Sequence, residues 1–141
     1  NDDIYFQISG DGGREMTYPT ENQEQAALFE WAEAASGKYP ELRLLHAIPN
    51  GGLRDGRTAA VLQRTGVKSG VPDIHLPIPR GEYAGLWVEL KRQKGGVVSA
   101  NQRIWLNRLN ANGSKAVVCN GWEAARDEIE RYLGDGTAGE G

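Results

Sequence analysis

An α/β fold, with a mixed β-sheet flanked by helices, is what this sequence predicts, and three observations predict it. Segments 21–36, 100–111 and 122–133 space their apolar residues at helical intervals. Segments 42–48, 71–78, 84–91 and 115–119 are short and rich in β-branched, aromatic and aliphatic residues. Their order, helix, three strands, helix, strand, helix (α-β-β-β-α-β-α), requires one sheet with helices packed against it.

The first helix starts at a capping box, Thr20 followed three residues later by Gln23, and Leu28, Trp31, Ala32 and Ala35 form its apolar stripe up to Gly37. LRLLHAI (42–48) follows as a strand, closed by Pro49-Asn50-Gly51-Gly52. A basic, glycine-punctuated connection comes next, with room for one short helix at 58–64; long connections inside compact domains are often functional. Strands 71–78 and 84–91 flank a turn around PRGE, and Lys94-Gly95-Gly96 interrupts the chain again. Ser99 and Gln102 repeat the capping-box spacing before helix 100–111, whose Ile104, Trp105 and Leu109 are expected to face inward. Asn112-Gly113 stops that helix, and strand 115–119 and helix 122–133 complete the domain.

At 141 residues one domain is expected, over 20–133. Residues 1–19 read as a polar leader, partly added, since IYFQIS resembles a protease-tag scar and Met16 resembles a protein start; 134–141 read as a flexible tail. A single cysteine, Cys119, excludes a disulfide framework within the chain and reads as strand packing in a reducing compartment. No run reaches the roughly 18–20 apolar residues of a membrane span, and no signal peptide is visible, so the expected location is cytoplasmic, in a bacterial or phage-infected cell.

The formal net charge is −3, but it is segregated. Residues 43–118 hold twelve Lys or Arg against four acids, a net +8, and the remainder holds four against fifteen, a net −11. That suits a phosphate-binding surface on an acidic scaffold, or a merely uneven solvated surface.

Two strands in the basic part raise the chemical question. VPDIHL (71–76) and LWVELK (86–91) are apolar yet carry Asp73, Glu89 and Lys91, charges that are costly to bury without partners. A hairpin centred near Gly81 pairs residues whose numbers sum to about 162, which sets Asp73 opposite Glu89 and His75 opposite Trp87. Directly opposed residues have Cβ atoms ~4.5–5.5 Å apart, and two carboxylates that close repel unless a proton or cation joins them. A divalent ion with retained waters and a substrate phosphate would resolve the repulsion. Alternation puts Lys91 on the same face, while Val88 and Leu90 turn into the core. A lysine there can hold a water or neutralise a phosphate.

Pro72-Asp73, fifteen residues, then Glu89-Leu90-Lys91 resembles the PD-(D/E)xK nuclease signature. With Pro49-Asn50-Gly51-Gly52 and Arg54, Thr65 through Ile74, Val88 through Lys91, Ser99 through Gln102, and Trp105-Leu106, the chain resembles the virus-type replication-repair nuclease (VRR-NUC) domain over roughly 20–130. The resemblance implies a restriction-endonuclease-like core and metal-dependent hydrolysis of DNA phosphodiesters, with Mg²⁺ or Mn²⁺ as cofactor. It also implies Holliday-junction-resolvase-like action by a homodimer on branched DNA, and products with a 5′-phosphate and a 3′-hydroxyl.

By that resemblance Asp73 and Glu89 match metal carboxylates and Lys91 the catalytic lysine. A further acid at the start of the first helix is implied. Glu21, four before Gln25, is favoured, with Glu24 the alternative, and either can instead complement the helix dipole. Gln102 matches a family glutamine but is equally the N3 partner of Ser99. Asn50 and Arg54 can contact DNA backbone or order their loop; Arg64, Lys68, Arg92 and Lys94 can bind phosphates or simply be solvated. His46 and His75 read as sheet histidines, and the tryptophans at 31, 87, 105 and 122 as core. A monomeric flap- or nick-directed nuclease and a non-catalytic DNA-binding module are the alternatives. The absence of a P-loop or GxGxxG loop weighs against a nucleotide-dependent small-molecule enzyme.

Overall fold

The computed structural model describes residues 17–49 and 58–134. The expected leader and tail, Asn50 and Arg54 lie wholly or largely outside them. Among the described residues the order is α1 (Glu21–Ala35), a 3-10 helix (Pro40–Leu44), β1 (His46–Ala47), α2 (Ala59–Arg64), β2 (Ile74–Leu76), β3 (Leu86–Lys91), α3 (Ala100–Ala111), β4 (Lys115–Asn120) and α4 (Trp122–Leu133). No helix among them is long and apolar enough to cross a membrane.

Four strands form one mixed sheet in the order β1-β2-β3-β4 among these residues. β1–β2 and β2–β3 are antiparallel and β3–β4 is parallel, joined through α3. The expected hairpin register holds: Ile74 pairs with Val88, His75 with Trp87 and Leu76 with Leu86. The turn closes where Arg80 bridges Tyr83, and Gly81 supplies a positive φ of 59° there. β2 is shorter than expected because Pro72 and Pro77 bracket it, and a proline has no N–H to give a ladder.

The first expected strand is largely replaced. LRLLHAI is not extended over 42–48: Pro40 presets a helical φ, the chain winds as a 3-10 helix through Leu44, and only His46–Ala47 pairs in the sheet. Leu42 and Leu45 are buried while Leu44 is 53% exposed. That spacing of three is the 3-10 repeat, whereas a strand would bury every second residue.

One sheet face carries the apolar core. Ile74, Leu76, Leu86, Val88 and Leu90 pack with Leu28 and Ala32 of α1 and with Ala125, Ile129 and Leu133 of α4. Each fully buried leucine there contributes about 2 kcal/mol from apolar burial. Cys119 is buried in the same cluster, and burial pushes its thiol up to about 12, so it is an inert packing residue.

α3 departs from expectation. Ile104 is 45% exposed, and Leu106 is the buried residue of the helix. Its inward side carries Leu106 with the half-buried Trp105 and Leu109, and it begins at the half-buried Gln102, which an apolar period alone could not reveal. Asn110 explains its own place: its amide donates to the Leu106 and Ala116 carbonyls, and its oxygen accepts from the Ala116 N–H, tying α3 to β4.

Candidate active site

Asp73 stands one residue before β2, where extension of the register places it opposite Glu89 of β3. Its backbone carbonyl accepts from the Ile48 N–H at 2.7 Å, and its carboxylate Oδ2 accepts from the Leu90 N–H at 2.9 Å. Two strands therefore hold the half-buried carboxylate in place. Glu89 is 1% exposed and Lys91 6%. They alternate with Val88 and Leu90, so they lie on the sheet face away from the apolar core.

Gln102 links them. As N3 of α3 it completes the capping box: its Oε1 accepts from the Ser99 N–H at 2.8 Å, and its own N–H donates to Ser99 Oγ at 3.1 Å. The same Oε1 accepts from Lys91 Nζ at 3.1 Å, and its amide nitrogen donates to Glu89 Oε2 at 2.9 Å. Lys91 Nζ lies 3.4 Å from that Glu89 oxygen. Gln102 is thus the helix cap and, with the same side chain, a contact of both Lys91 and Glu89. Gly96 covers the lysine stem so closely that a Cβ there would come within 2.9 Å of Lys91 Cβ.

The second oxygen of Glu89, Oε1, is buried with no hydrogen-bond partner. Burial pushes the Glu89 carboxyl up to about 8, and the adjacent Asp73 charge pushes the same way, against the pull of Lys91. A proton or a cation at Glu89 would relieve both the burial of its charge and the repulsion from Asp73. Among the described residues no group of three or more His, Cys, Asp or Glu converges as a metal cage. The donor set is a buried carboxylate beside one that borders two clefts, which fits Mg²⁺ or Mn²⁺ completed by waters and phosphate better than a closed all-protein site.

Asp73 borders two clefts. The larger, about 850 Å³, lies between α2 with its following loop and the first turns of α3, and is lined among others by Lys68, Val71, Gln102 and Trp105. The smaller, about 390 Å³, is lined by Glu21, Asn22 and Gln25 of α1, and by Ile48, Pro49 and Leu90.

The two glutamates of α1 separate here. Glu21 is exposed and shares the smaller cleft with Asp73. Glu24 is fully buried: its Oε1 accepts from the Trp122 N–H at 2.9 Å and its Oε2 from the Gln93 amide at 3.1 Å. α4 begins at Gly121, which has no capping side chain of its own, so Glu24 caps α4 from another helix.

Of the basic residues, Lys68 reaches the larger cleft and Arg64 is exposed at the end of α2. Lys94 is exposed in the turn after β3. Arg92 is turned from the carboxylate pair, its guanidinium donating to the Tyr18 carbonyl at 3.3 Å. His46 and His75 meet edge to face with centroids 5.2 Å apart, and His75 stacks on Trp87 at 3.8 Å, which accounts for them as a sheet-surface row. Burial and the neighbouring His46 lower the pKa of His75. Sequence reasoning missed Asn22, Gln93, Ser69 and Asn101. Only their places beside capping boxes or proposed site residues could have drawn attention to them.

A mixed sheet with helices on both sides, bearing two apposed carboxylates and a lysine at a β-hairpin, defines a domain of restriction-endonuclease-like fold. The chain belongs to the VRR-NUC family: the VRR-NUC domain matches residues 17–123. It is similar to a solved structure described as a "VRR_NUC domain protein", with 30% identity over 81% of this chain and 88% of that one, at a TM-score of 0.70. No curated protein matches the chain. A VRR-NUC domain implies a nuclease of the PD-(D/E)xK type.

Proposed function

We propose that the protein is a divalent-metal-dependent endodeoxyribonuclease that hydrolyses phosphodiester bonds in branched DNA as a homodimer, in the manner of a Holliday-junction resolvase. The observation that carries the metal requirement is the buried, unpartnered Glu89 Oε1 beside Asp73. Asp73 and Glu89 would hold Mg²⁺ or Mn²⁺, and Glu21, rather than the fully engaged Glu24, would supply the carboxylate from α1. Such an ion, when bound, supplies charge stabilisation for the phosphoryl group and acidifies a coordinated water.

The chain's own residues do the rest. Lys91 offers its ammonium at the carboxylate pair, steadied by Gln102, where it orients a water or neutralises a phosphate oxygen. Gln102 fixes Lys91 and Glu89 relative to each other from a helix end that cannot easily shift. Asn50 and Arg54, with Arg64, Lys68 and Lys94, contact backbone phosphates; Arg92 supports the fold near Tyr18 before any phosphate. Water adds to phosphorus and the bond to the 3′ oxygen breaks, leaving a 5′-phosphate and a 3′-hydroxyl. One compact domain makes one cut, so symmetric resolution of a four-way junction needs two copies about a two-fold axis.

The test is to incubate the protein with a four-way junction, a flap and a linear duplex in Mg²⁺, Mn²⁺ or chelator, alongside Asp73→Ala and Lys91→Ala. Metal-dependent cleavage of the junction by a sedimenting dimer is expected. Absence of metal-dependent cleavage on every DNA refutes the nuclease assignment, whereas flap cleavage by a monomer refutes the resolvase assignment alone.

A further inference from the structure

The larger cleft beside Asp73 is the wrong chemistry for a sugar-phosphate backbone. Its walls include Leu62, Val67, Val71, Ile104 and Trp105, and among the described residues that line it Lys68 is the one cation. Val67 and Ile104, 42% and 45% exposed, are two of the six large apolar side chains left exposed among the described residues. Both border this cleft. A backbone groove would present several cations; of the amides that line this cleft, those of Asn101 and Gln102 already donate to Ser69 and Glu89, and Gln63 is the third. Here an indole and branched aliphatic carbons stand beside the carboxylate pair instead.

The cleft is also built in advance. Gly70, at a φ of 97°, lets its loop approach α3 so closely that a Cβ would stand 2.7 Å from the Asn101 carbonyl carbon. The Asn101 amide donates to Ser69 Oγ at 3.1 Å and pins loop to helix. Asp73 and Gln102 form the end of the cleft nearest the reaction, so whatever fills it is continuous with the strand being cut.

We infer that this cleft receives an unpaired nucleobase adjoining the scissile phosphate, stacked against Trp105 and Ile104 with Lys68 at its phosphate, so that the cleaved bond lies where pairing ends. This rests on the proposed nuclease reading and deepens it: branched substrates are selected by an unstacked base, beyond the shape of the junction. A volume of about 850 Å³ is ample for one nucleotide and its sugar. Aromatic stacking accepts any base, so the cleft selects unpaired structure with little sequence preference.

The experiment measures binding with chelator present, in the Asp73→Ala background, so that it does not depend on cleavage. Junctions with 2-aminopurine at each nucleotide adjoining the branch point in turn, paired or unpaired, are titrated with this protein and with added Trp105→Leu or Ile104→Ser. Quenching of the unpaired probe is expected. Trp105→Leu should abolish that quenching and weaken unpaired substrates about tenfold more than fully paired duplex, the size of one lost base-aromatic stack. Ile104→Ser, at an exposed position that the fold does not need, should give the same preference to a smaller degree. Equal weakening on paired and unpaired DNA, or unchanged quenching in variants that keep the parental circular dichroism, overturns the inference. So does a change of oligomeric state in Ile104→Ser, which would make the cleft a protein contact. If no DNA is cut by the unsubstituted protein yet the unpaired probe is still quenched through Trp105, the base-binding inference stands and the catalytic reading falls.

Discussion

Two carboxylates among the described residues are buried almost completely, Glu24 on the side of the sheet covered by α1 and α4 and Glu89 on the side that carries α3. Their surroundings differ in one respect. Glu24 spends both oxygens on donors, the Trp122 N–H and the Gln93 amide, and so joins α1 to α4 and to the segment after β3. Glu89 has one oxygen satisfied by Gln102 and the other by nothing, beside a second carboxylate. Burial by itself therefore does not mark a reacting group. A buried carboxylate with both oxygens engaged is architecture; one that leaves an oxygen unbonded beside a second carboxylate is a candidate reacting group.

The sharpest way to break this contrast is at the open carboxylate pair. Asp73→Asn should lower the cleavage rate by about a thousandfold or more while the melting temperature in chelator stays the same or rises, because a repelling charge has been removed. Cleavage assays and thermal melts check both halves. A variant that melts early and cuts normally would place Asp73 with Glu24.

Glu24→Ala should behave in the opposite way. It strands a helix N-terminal N–H and an amide in the interior, and should lower stability by about 3 kcal/mol in urea unfolding. Any activity loss should disappear under conditions where the variant is folded.

The pH dependence of stability separates the two glutamates again. The Glu89 carboxyl is raised in the folded protein to about 8, above the ordinary carboxylate range of the unfolded chain. The folded state therefore holds its proton more tightly. The resulting stabilisation is fully present below about pH 4.5 and is lost as pH rises towards 8. In chelator, unfolding free energy should carry this falling component, Glu89→Gln should remove it, and Mg²⁺ should restore stability at the alkaline end. Denaturant titrations across that pH range measure it.

Gln102→Ala should give the smallest and most mixed result. Losing the capping box costs about 1 kcal/mol, and releasing Lys91 should lower the cleavage rate about tenfold. A pure stability loss would return Gln102 to an ordinary cap.

Much of the fold was legible in advance. α3 lies where its capping box placed it and α4 where its periodicity did, and the β2–β3 register follows from Gly81 and the alternation of the two strands. The misread segment, 42–48, was apolar enough to pass as a strand, and Pro40 and the spacing of Leu42 and Leu45 were the signals against it. Ile104 was misplaced because the inward side of α3 begins at Gln102, whose polarity is offset by its bond to Glu89 and which no apolar period includes. Asp73, Glu89 and Lys91 were legible because a hairpin register is local arithmetic.

The sequence by itself determined the elements, the hairpin register and the gathering of Asp73, Glu89 and Lys91 on one face, since strand alternation and short turns depend on neighbouring residues only. Tertiary structure alone buried Glu24 against α4 and left Glu21 at the cleft with Asp73, tied Gln102 to both Ser99 and Lys91, and opened an apolar cleft at Trp105. Glu24 meets a helix that begins 98 residues later, and no local pattern carries that contact. Which lone pairs are filled depends on the whole chain's packing, and it is the unfilled one on Glu89 that turns an α/β domain into a candidate active site.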